Sequence, residues 1–157
     1  MANKSLEPQR FTPADGAFEQ RVRASFARQR LMTTIGAELT SVSPGEVVIE
    51  LPFREDLTQQ HGYLHAAITT AIVDSACGYA AYTLMPADAA VLTVEFKVNF
   101  LAPAAGRRFV ADGRVTKPGR TLTVTMGDVV ALTDAGQKTI ATMLATMMVV
   151  SSREISG

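Results

Sequence analysis

The most apolar part of the chain is a long stretch that contains a single charged residue. Between Leu57 and Ala87 the only Asp, Glu, Lys or Arg is Asp74. From His65 to about Leu84 the residues are mostly alanine, isoleucine, valine and threonine, which suffices for roughly five turns of helix. Because small and apolar residues occur all round this segment, the pattern predicts a long helix with most of its faces buried.

A second, amphipathic helix is predicted over residues 14–32, after a mobile arm formed by residues 1–13. Phe18, Val22 and Phe26 recur every four residues and mark the apolar side. The other side carries four arginines: Arg21, Arg23, Arg28 and Arg30. A charged face of this kind is typical of a solvent-exposed helix surface, and a basic rim for a phosphorylated ligand is the alternative interpretation.

Alternating apolar and polar residues predict six strands, at residues 35–42, 46–53, 91–101, 107–116, 121–133 and 137–150. In the third strand Leu92 and Val94 are predicted on one face with Phe96, whereas Thr93 and Glu95 are predicted on the other. The short turns between the last four strands favour an antiparallel meander.

The last predicted strand is apolar on both faces, so it is expected to be covered on both. The long helix is one expected cover and another subunit is the other. One long apolar helix beside an antiparallel sheet predicts an α+β domain, with the central helix wrapped by a curved antiparallel sheet and an extra N-terminal helix. Gly78, one helical turn after Asp74, is expected to let the helix approach the sheet closely.

Composition narrows the class of protein. A length of 157 residues predicts a single domain over 1–157, and the formal net charge of zero gives no electrostatic case for nucleic acid. Cys77 is the only cysteine, which excludes a disulfide framework and fits a reducing cytoplasm. We find no secretory signal, and the polar residues within the long apolar stretch argue against a membrane span.

Asp74 is the main candidate for chemistry. An ionised carboxylate in the middle of a buried helix is disfavoured by desolvation unless it is paired or used in a reaction. His61 and His65 have no third partner that would complete a metal site, and no Ser-His-Asp arrangement is visible. Cys77 is interpreted as a buried small hydrophobic residue.

Three blocks of sequence together resemble the hotdog-fold acyl-CoA thioesterases, in particular the PaaI-like branch of the phenylacetate pathway. The first is Gln59, Gly62, His65-Ala66-Ala67 and Asp74, the second is residues 93–104, and the third is the basic hairpin Lys117-Pro118-Gly119-Arg120. Each block alone is weak, but all three occur in order at the family's spacing over residues 35–150. The family's His-Gly-Gly is His-Ala-Ala here, which adds a methyl group beside the helix start.

The resemblance implies hydrolysis of an acyl-CoA thioester without a cofactor. It assigns to Asp74 the role of general base or nucleophile, and leaves the choice open. It makes the Ala66 N–H an oxyanion donor and lets Gln59 hold the carbonyl or water; a loop cap is the alternative for Gln59. His65 matches the helix-start histidine, either structural or catalytic, and Thr93 matches a residue that lines the site.

The same resemblance implies that two subunits of a homodimer, or of a homotetramer, share the active site. Lys117, Gly119 and Arg120 are candidates for binding the coenzyme A phosphates, together with Arg107 and Arg108; exposed turn cations that are merely solvated are the alternative. A hotdog dehydratase would need a loop Asp–His pair that is not found in the sequence. A non-catalytic acyl-CoA-binding protein is the alternative function, and which acyl group is used stays open.

Overall fold

The computed structural model describes residues 11–151, so residues 1–10 of the predicted arm lie outside the described residues. Phe11 packs against the turn at Gly45, which has a φ of +81°. The elements are α1 (Phe18–Ala27), α2 (Arg30–Ile35), β1 (Glu38–Ser43), β2 (Glu46–Pro52), a short 3-10 helix (Glu55–Leu57), α3 (Ala66–Tyr82), β3 (Ala89–Phe100), β4 (Arg108–Lys117), β5 (Leu122–Thr133) and β6 (Gly136–Ser151). No helix within residues 11–151 is long and apolar enough to cross a membrane.

The six strands form one antiparallel sheet in the order β1-β2-β4-β5-β6-β3, and α3 packs against it. The predicted α+β architecture, with one long helix beside an antiparallel sheet, is therefore confirmed. The predicted meander of the last four strands is wrong in one respect, because only β4, β5 and β6 follow one another and β3 pairs with β6 at the sheet edge. The connection from Leu101 to Arg107 spans about three strand spacings, roughly 14 Å, which seven extended residues reach easily.

Two glycines on neighbouring strands bring α3 close to the sheet. Gly113 and Gly127 are paired across β4 and β5. A Cβ atom added at Gly113 would lie 2.3 Å from the carbonyl carbon of Ala76, and one at Gly127 would lie 2.6 Å from Val73 Cγ2. The close approach predicted for Gly78 therefore occurs at the sheet glycines instead, since a Cβ at Gly78 would meet only Met147 Sδ, at 4.0 Å.

The predicted single helix over residues 14–32 is two helices. Gln29 has an extended backbone between α1 and α2. Ile35 follows Val22 by 13 residues, and in one continuous helix the two side chains would point about 140° apart. The break at Gln29 lets both side chains enter the core, where Val22 is 0% and Ile35 2% exposed.

The predicted faces of β3 are also wrong on one side of a bulge. The pairing with β6 shifts register between Thr93 and Glu95. Thr93 lies opposite Met147 and Phe96 lies opposite Ala145, both of which are buried on the helix side of the sheet. Residues opposite each other in an antiparallel pair share a face, so Thr93 shares the face of Phe96 rather than the opposite one.

The outer face of β6 and the edge strand β3 are only partly covered in one chain. On β6, Leu144 is exposed on the outer face whereas Met143 and Ala145 are buried under α3. Along and beyond β3, five large apolar side chains are exposed: Leu92, Val94, Phe96, Phe100 and Leu101. A long apolar edge strand of this kind is ordinarily covered by another element or another chain.

Candidate active site

Asp74 and Thr93 meet at the boundary between α3 and β3. The Thr93 hydroxyl donates a hydrogen bond to Asp74 Oδ1 at 2.9 Å. Burial raises the pKa of Asp74 above its usual range, and the Thr93 hydrogen bond partly opposes that rise. The two residues line a cavity of about 510 Å³ between the end of α1, the two residues before α2, α3 and the start of β3. The structure therefore brings this predicted carboxylate and this predicted site residue together.

Helical spacing and the β3 bulge bring these two residues together. Asp74 lies on α3, and Gly78, four residues later and therefore on the same helix face, lines the same cavity. On β3 the bulge turns Thr93 toward α3, and its hydroxyl also lies 3.5 Å from Met147 Sδ. Without the bulge, strict alternation would have directed Thr93 away from the carboxylate.

The start of α3 forms a second cavity. His65 is the N-cap of α3, and its Nδ1 accepts a hydrogen bond from the Ala67 N–H at 3.0 Å. This contact supports the structural interpretation of His65. Ala66 is the first helical residue, so its N–H has no acceptor within the helix. Ala66 and Gln59 line a cavity of about 360 Å³ together with Phe100.

Gln59 has a role in its own loop as well as a place in this cavity. Its side-chain oxygen accepts a hydrogen bond from the His61 N–H, so the predicted loop cap is present. The side-chain NH₂ group is then the end of the amide that can donate to a ligand. Gln60, the next residue of the same loop, is exposed. The two roles of Gln59 are therefore compatible.

The predicted catalytic groups are divided between the two cavities. Ala66 and Asp74 lie eight residues apart on α3, a separation of about 12 Å along the helix axis. An oxyanion donor must lie about 3 Å from the reacting oxygen. Within a single chain, Asp74 and the Ala66 N–H therefore do not act on the same carbonyl group.

The basic hairpin lies at the same end of the sheet as Thr93. Thr93 and Thr123 both lie opposite Met147, on its two sides, about 10 Å apart. The Gly119 N–H donates to the Thr123 hydroxyl at 3.3 Å. Lys117 and Arg120 are exposed and have no ion-pair partner within residues 11–151. Among the other predicted phosphate ligands, Arg107 pairs with Asp134 and Arg108 with Glu50.

Cys77 is buried, as predicted. Its side chain is 0% exposed, and burial raises the pKa of its thiol to about 12. A thiol with this pKa is not ionised at neutral pH and is a poor nucleophile. Asp74 is therefore the acidic group of α3 that can take part in chemistry.

Sequence reasoning missed several polar residues that line the Asp74 cavity. The Ser75 hydroxyl donates to Gln29 Oε1 at 3.3 Å, and the hydroxyls of Ser25 and Tyr79 lie 3.4 Å apart. Arg28 also lines this cavity. Ser75 and Tyr79 lie close to Asp74 along α3, and this proximity in the sequence is the signal that could have identified them as lining the cavity. The contribution of residues 25–29 depended on the break between α1 and α2.

Comparison with known proteins identifies the family. A long helix packed on a six-stranded antiparallel sheet in this order is the arrangement of a hotdog-fold protein. The thioesterase superfamily profile matches residues 61–136. The crystal structure of a thioesterase family protein from Silicibacter pomeroyi is 54% identical, with a TM-score of 0.84 over 85% of this chain and 98% of that chain. The chain belongs to the thioesterase superfamily.

Two further relatives are more distant. The 1,4-dihydroxy-2-naphthoyl-CoA hydrolase of Listeria monocytogenes is 27% identical over 79% of this chain and 98% of that protein. The PaaI protein of the E. coli phenylacetic acid degradation operon superposes with a TM-score of 0.76 at 19% identity, over 85% of this chain and 94% of that chain, which is a likeness of fold. Two curated relatives are 33% identical to this chain, and the chain spans 64% of the length of each.

Proposed function

We propose that the protein hydrolyses an acyl-CoA thioester to a free acid and coenzyme A, at a site shared by two chains. The observation that carries this proposal is the position of the two cavities at opposite ends of β3. Residues 89–91 and Thr93 border the Asp74 cavity, and Phe100 with residues 102–104 borders the Gln59 cavity. Along one strand these ends are roughly 20 Å apart.

A two-fold dimer through β3 would remove this separation. Two copies of a strand related by a two-fold axis run antiparallel, so the start of one lies beside the end of the other. The spacing between neighbouring strands is about 4.8 Å. The cavity of Asp74 would then adjoin the partner subunit's Gln59 and Ala66. The exposed apolar residues of β3 support pairing of this kind.

The chemistry follows from the groups that such a dimer brings together. Asp74 would either take a proton from a water molecule whose oxygen attacks the thioester carbon, or attack that carbon itself and form an anhydride that water then hydrolyses. On either route the C–S bond breaks, the acyl group leaves as the free acid, and the thiolate takes up a proton and leaves as coenzyme A. The negative charge that develops on the carbonyl oxygen would be held by the partner's Ala66 N–H, aided by the positive end of α3. Gln59 of the partner subunit would donate its NH₂ group to the carbonyl or to water. Lys117 and Arg120 are proposed to bind the phosphates.

A mixed-dimer experiment tests the shared site. Asp74→Asn and Gln59→Ala are each expected to keep about a tenth or less of the wild-type thiol release. In a heterodimer of the two variants, one site contains both substitutions and the other contains neither. Co-refolding equal amounts should therefore restore about a quarter of wild-type thiol release, because about half of the dimers have one intact site. No restoration, despite heterodimer formation seen by mass spectrometry, would rule out sharing.

The alternative function is a non-catalytic acyl-CoA-binding protein. The observation that favours it is Ala66, whose methyl group lies at the first position of α3, where the thioesterases that this chain resembles have glycine. A panel of acyl-CoA thioesters followed by a thiol reagent distinguishes the two functions. Binding of an acyl-CoA without thiol release would support the alternative. An Ala66→Gly variant that gained turnover would support the catalytic proposal.

A further inference from the structure

Gly78 lies in the wall of the Asp74 cavity, one turn of α3 beyond the carboxylate. A Cβ added there would have one heavy atom within 4 Å, Met147 Sδ at 4.0 Å, apart from its own helix backbone and immediate neighbours. Gly78 itself is buried. The space beside its Cα is therefore cavity rather than packed protein.

A glycine inside a helix needs a reason, because it destabilises the helix relative to alanine. Close backbone packing explains Gly113, where an added Cβ would lie 2.3 Å from the carbonyl carbon of Ala76. A positive φ explains Gly45. Neither reason applies to Gly78, which has an ordinary helical backbone and open space at its side-chain position.

Other small residues also line the Asp74 cavity. Ala89 and Ala90, at the start of β3, line the cavity with Gly78. The rings of Tyr79 and Tyr82 also border it, with centroids 6.3 Å apart. Gly78 lies one helical turn from Asp74 and lines the same cavity, so the open space at Gly78 is close to the carboxylate. An acyl group whose carbonyl carbon faced Asp74 would have this space near its carbonyl end.

We infer that Gly78 is a specificity-determining residue, whose missing side chain admits acyl groups that are wide near the carbonyl, with a ring or a branch rather than a straight chain. The inference rests on the proposed thioester hydrolysis, and it places the acyl group of that substrate in the Asp74 cavity. A change of one or two carbon atoms in the wall of such a pocket is enough to alter specificity. A single methylene changes the discrimination between two substrates by roughly tenfold or more.

The test compares two acyl-CoA thioesters with the same number of acyl carbon atoms, phenylacetyl-CoA and octanoyl-CoA. The variants are Gly78→Ala and Gly78→Val, and Gly16→Ala is the matched control because its added Cβ meets nothing within 4 Å. We expect the ratio of kcat/KM for phenylacetyl-CoA over octanoyl-CoA to fall by about tenfold or more in Gly78→Val and by less in Gly78→Ala. Gly78→Ala should melt at the same temperature as wild type or higher.

An unchanged ratio, or an equal fall for both thioesters in variants that stay folded, would overturn the inference. If the wild-type protein releases thiol from neither thioester and from no other acyl-CoA of the panel, the proposed function fails on its own. Calorimetric affinities for the two corresponding non-hydrolysable thioether analogues then decide the role of Gly78. Selective loss of affinity for the phenylacetyl analogue in Gly78→Val would support it, and equal affinities would overturn it.

Discussion

The hydroxyl of Thr93 donates a hydrogen bond to Asp74 across 2.9 Å, between the edge strand and the central helix. The two residues are 19 apart in the sequence. Burial of Asp74 favours its neutral form, whereas the hydrogen bond from Thr93 favours the carboxylate. Burial therefore raises the pKa of Asp74, and the hydroxyl of Thr93 on the neighbouring strand limits that rise.

We expect Asp74→Asn to lower thioester hydrolysis by at least ~100-fold, the scale of losing a general base. Asparagine is nearly isosteric with aspartate, so packing and acyl-CoA binding should persist. Steady-state thiol release and calorimetric binding measure the two effects. A folded variant with near-normal turnover would contradict the catalytic assignment.

The stability of the same variant should depend on pH. Because the pKa of Asp74 is raised in the folded protein, ionisation of Asp74 destabilises the fold. Below the ordinary value of 3.8 this penalty is absent, and it grows as the pH rises through the folded pKa. Asp74→Asn should therefore become more stable relative to wild type between about pH 4 and pH 7. Urea unfolding at several pH values measures this difference, and a constant difference would contradict the prediction.

Thr93→Val should move the acid limb of the pH–rate profile to higher pH. The substitution keeps the branched shape but removes the hydroxyl that stabilises the ionised Asp74, so its pKa should rise further. Thr93→Ser keeps a hydroxyl and is the matched control. Equal profiles for Thr93→Val and wild type would show that the hydrogen bond does not influence the reacting carboxyl group.

Gln59→Ala should lower turnover by roughly ten- to a thousand-fold, the range for losing one polar contact to the transition state. The loop cap to the His61 N–H is lost as well, but that turn is exposed, so stability should change little. Gln60→Ala, on the same loop, is the control. An unchanged rate for Gln59→Ala would limit Gln59 to its role as a loop cap. Gln60 would then be the candidate for the polar contact to the substrate.

Phe96→Glu should produce a monomer with little activity. Phe96 is 44% exposed on the edge strand β3, where a charge would oppose pairing of two copies. Light scattering at micromolar concentration should give at least a dimer for wild type. Leu31→Glu is the control, because Leu31 is 52% exposed on α2, away from β3. A stable wild-type monomer with full activity would contradict the shared site.

Arg21→Gln should destabilise the fold by about 2 kcal/mol, the scale for losing hydrogen bonds from a charged group to backbone oxygens. Arg21 pairs with Asp15 and donates to the backbone oxygens of Tyr82 and Met85, at the end of α3. Arg23→Gln is the matched control, because its pair with Glu19 is exposed and is expected to contribute little. Chemical unfolding measures both, and equal losses would contradict the assigned role of Arg21.

The sequence by itself determined the order of the elements, the central helix and its isolated carboxylate. These features depend on local periodicity and on the absence of other charges near Asp74. Both are properties of consecutive residues and can be seen in the sequence. The structure places the long helix at Ala66–Tyr82, close to the predicted segment from His65 to about Leu84. The resemblance to the hotdog thioesterases at Gln59 and Asp74 could also be recognised from the sequence, because both residues lie within one continuous segment.

Only the tertiary structure decided which distant residues meet. A break at Gln29 was needed to bury both Val22 and Ile35, and that break brings residues 25–29 to the Asp74 cavity. A single bulge turned Thr93 to the helix side, where it meets Asp74. Neither event leaves a local signal, because each is fixed by packing and register between elements far apart in the sequence. The division of the candidate site between the two ends of β3 arises in the same way.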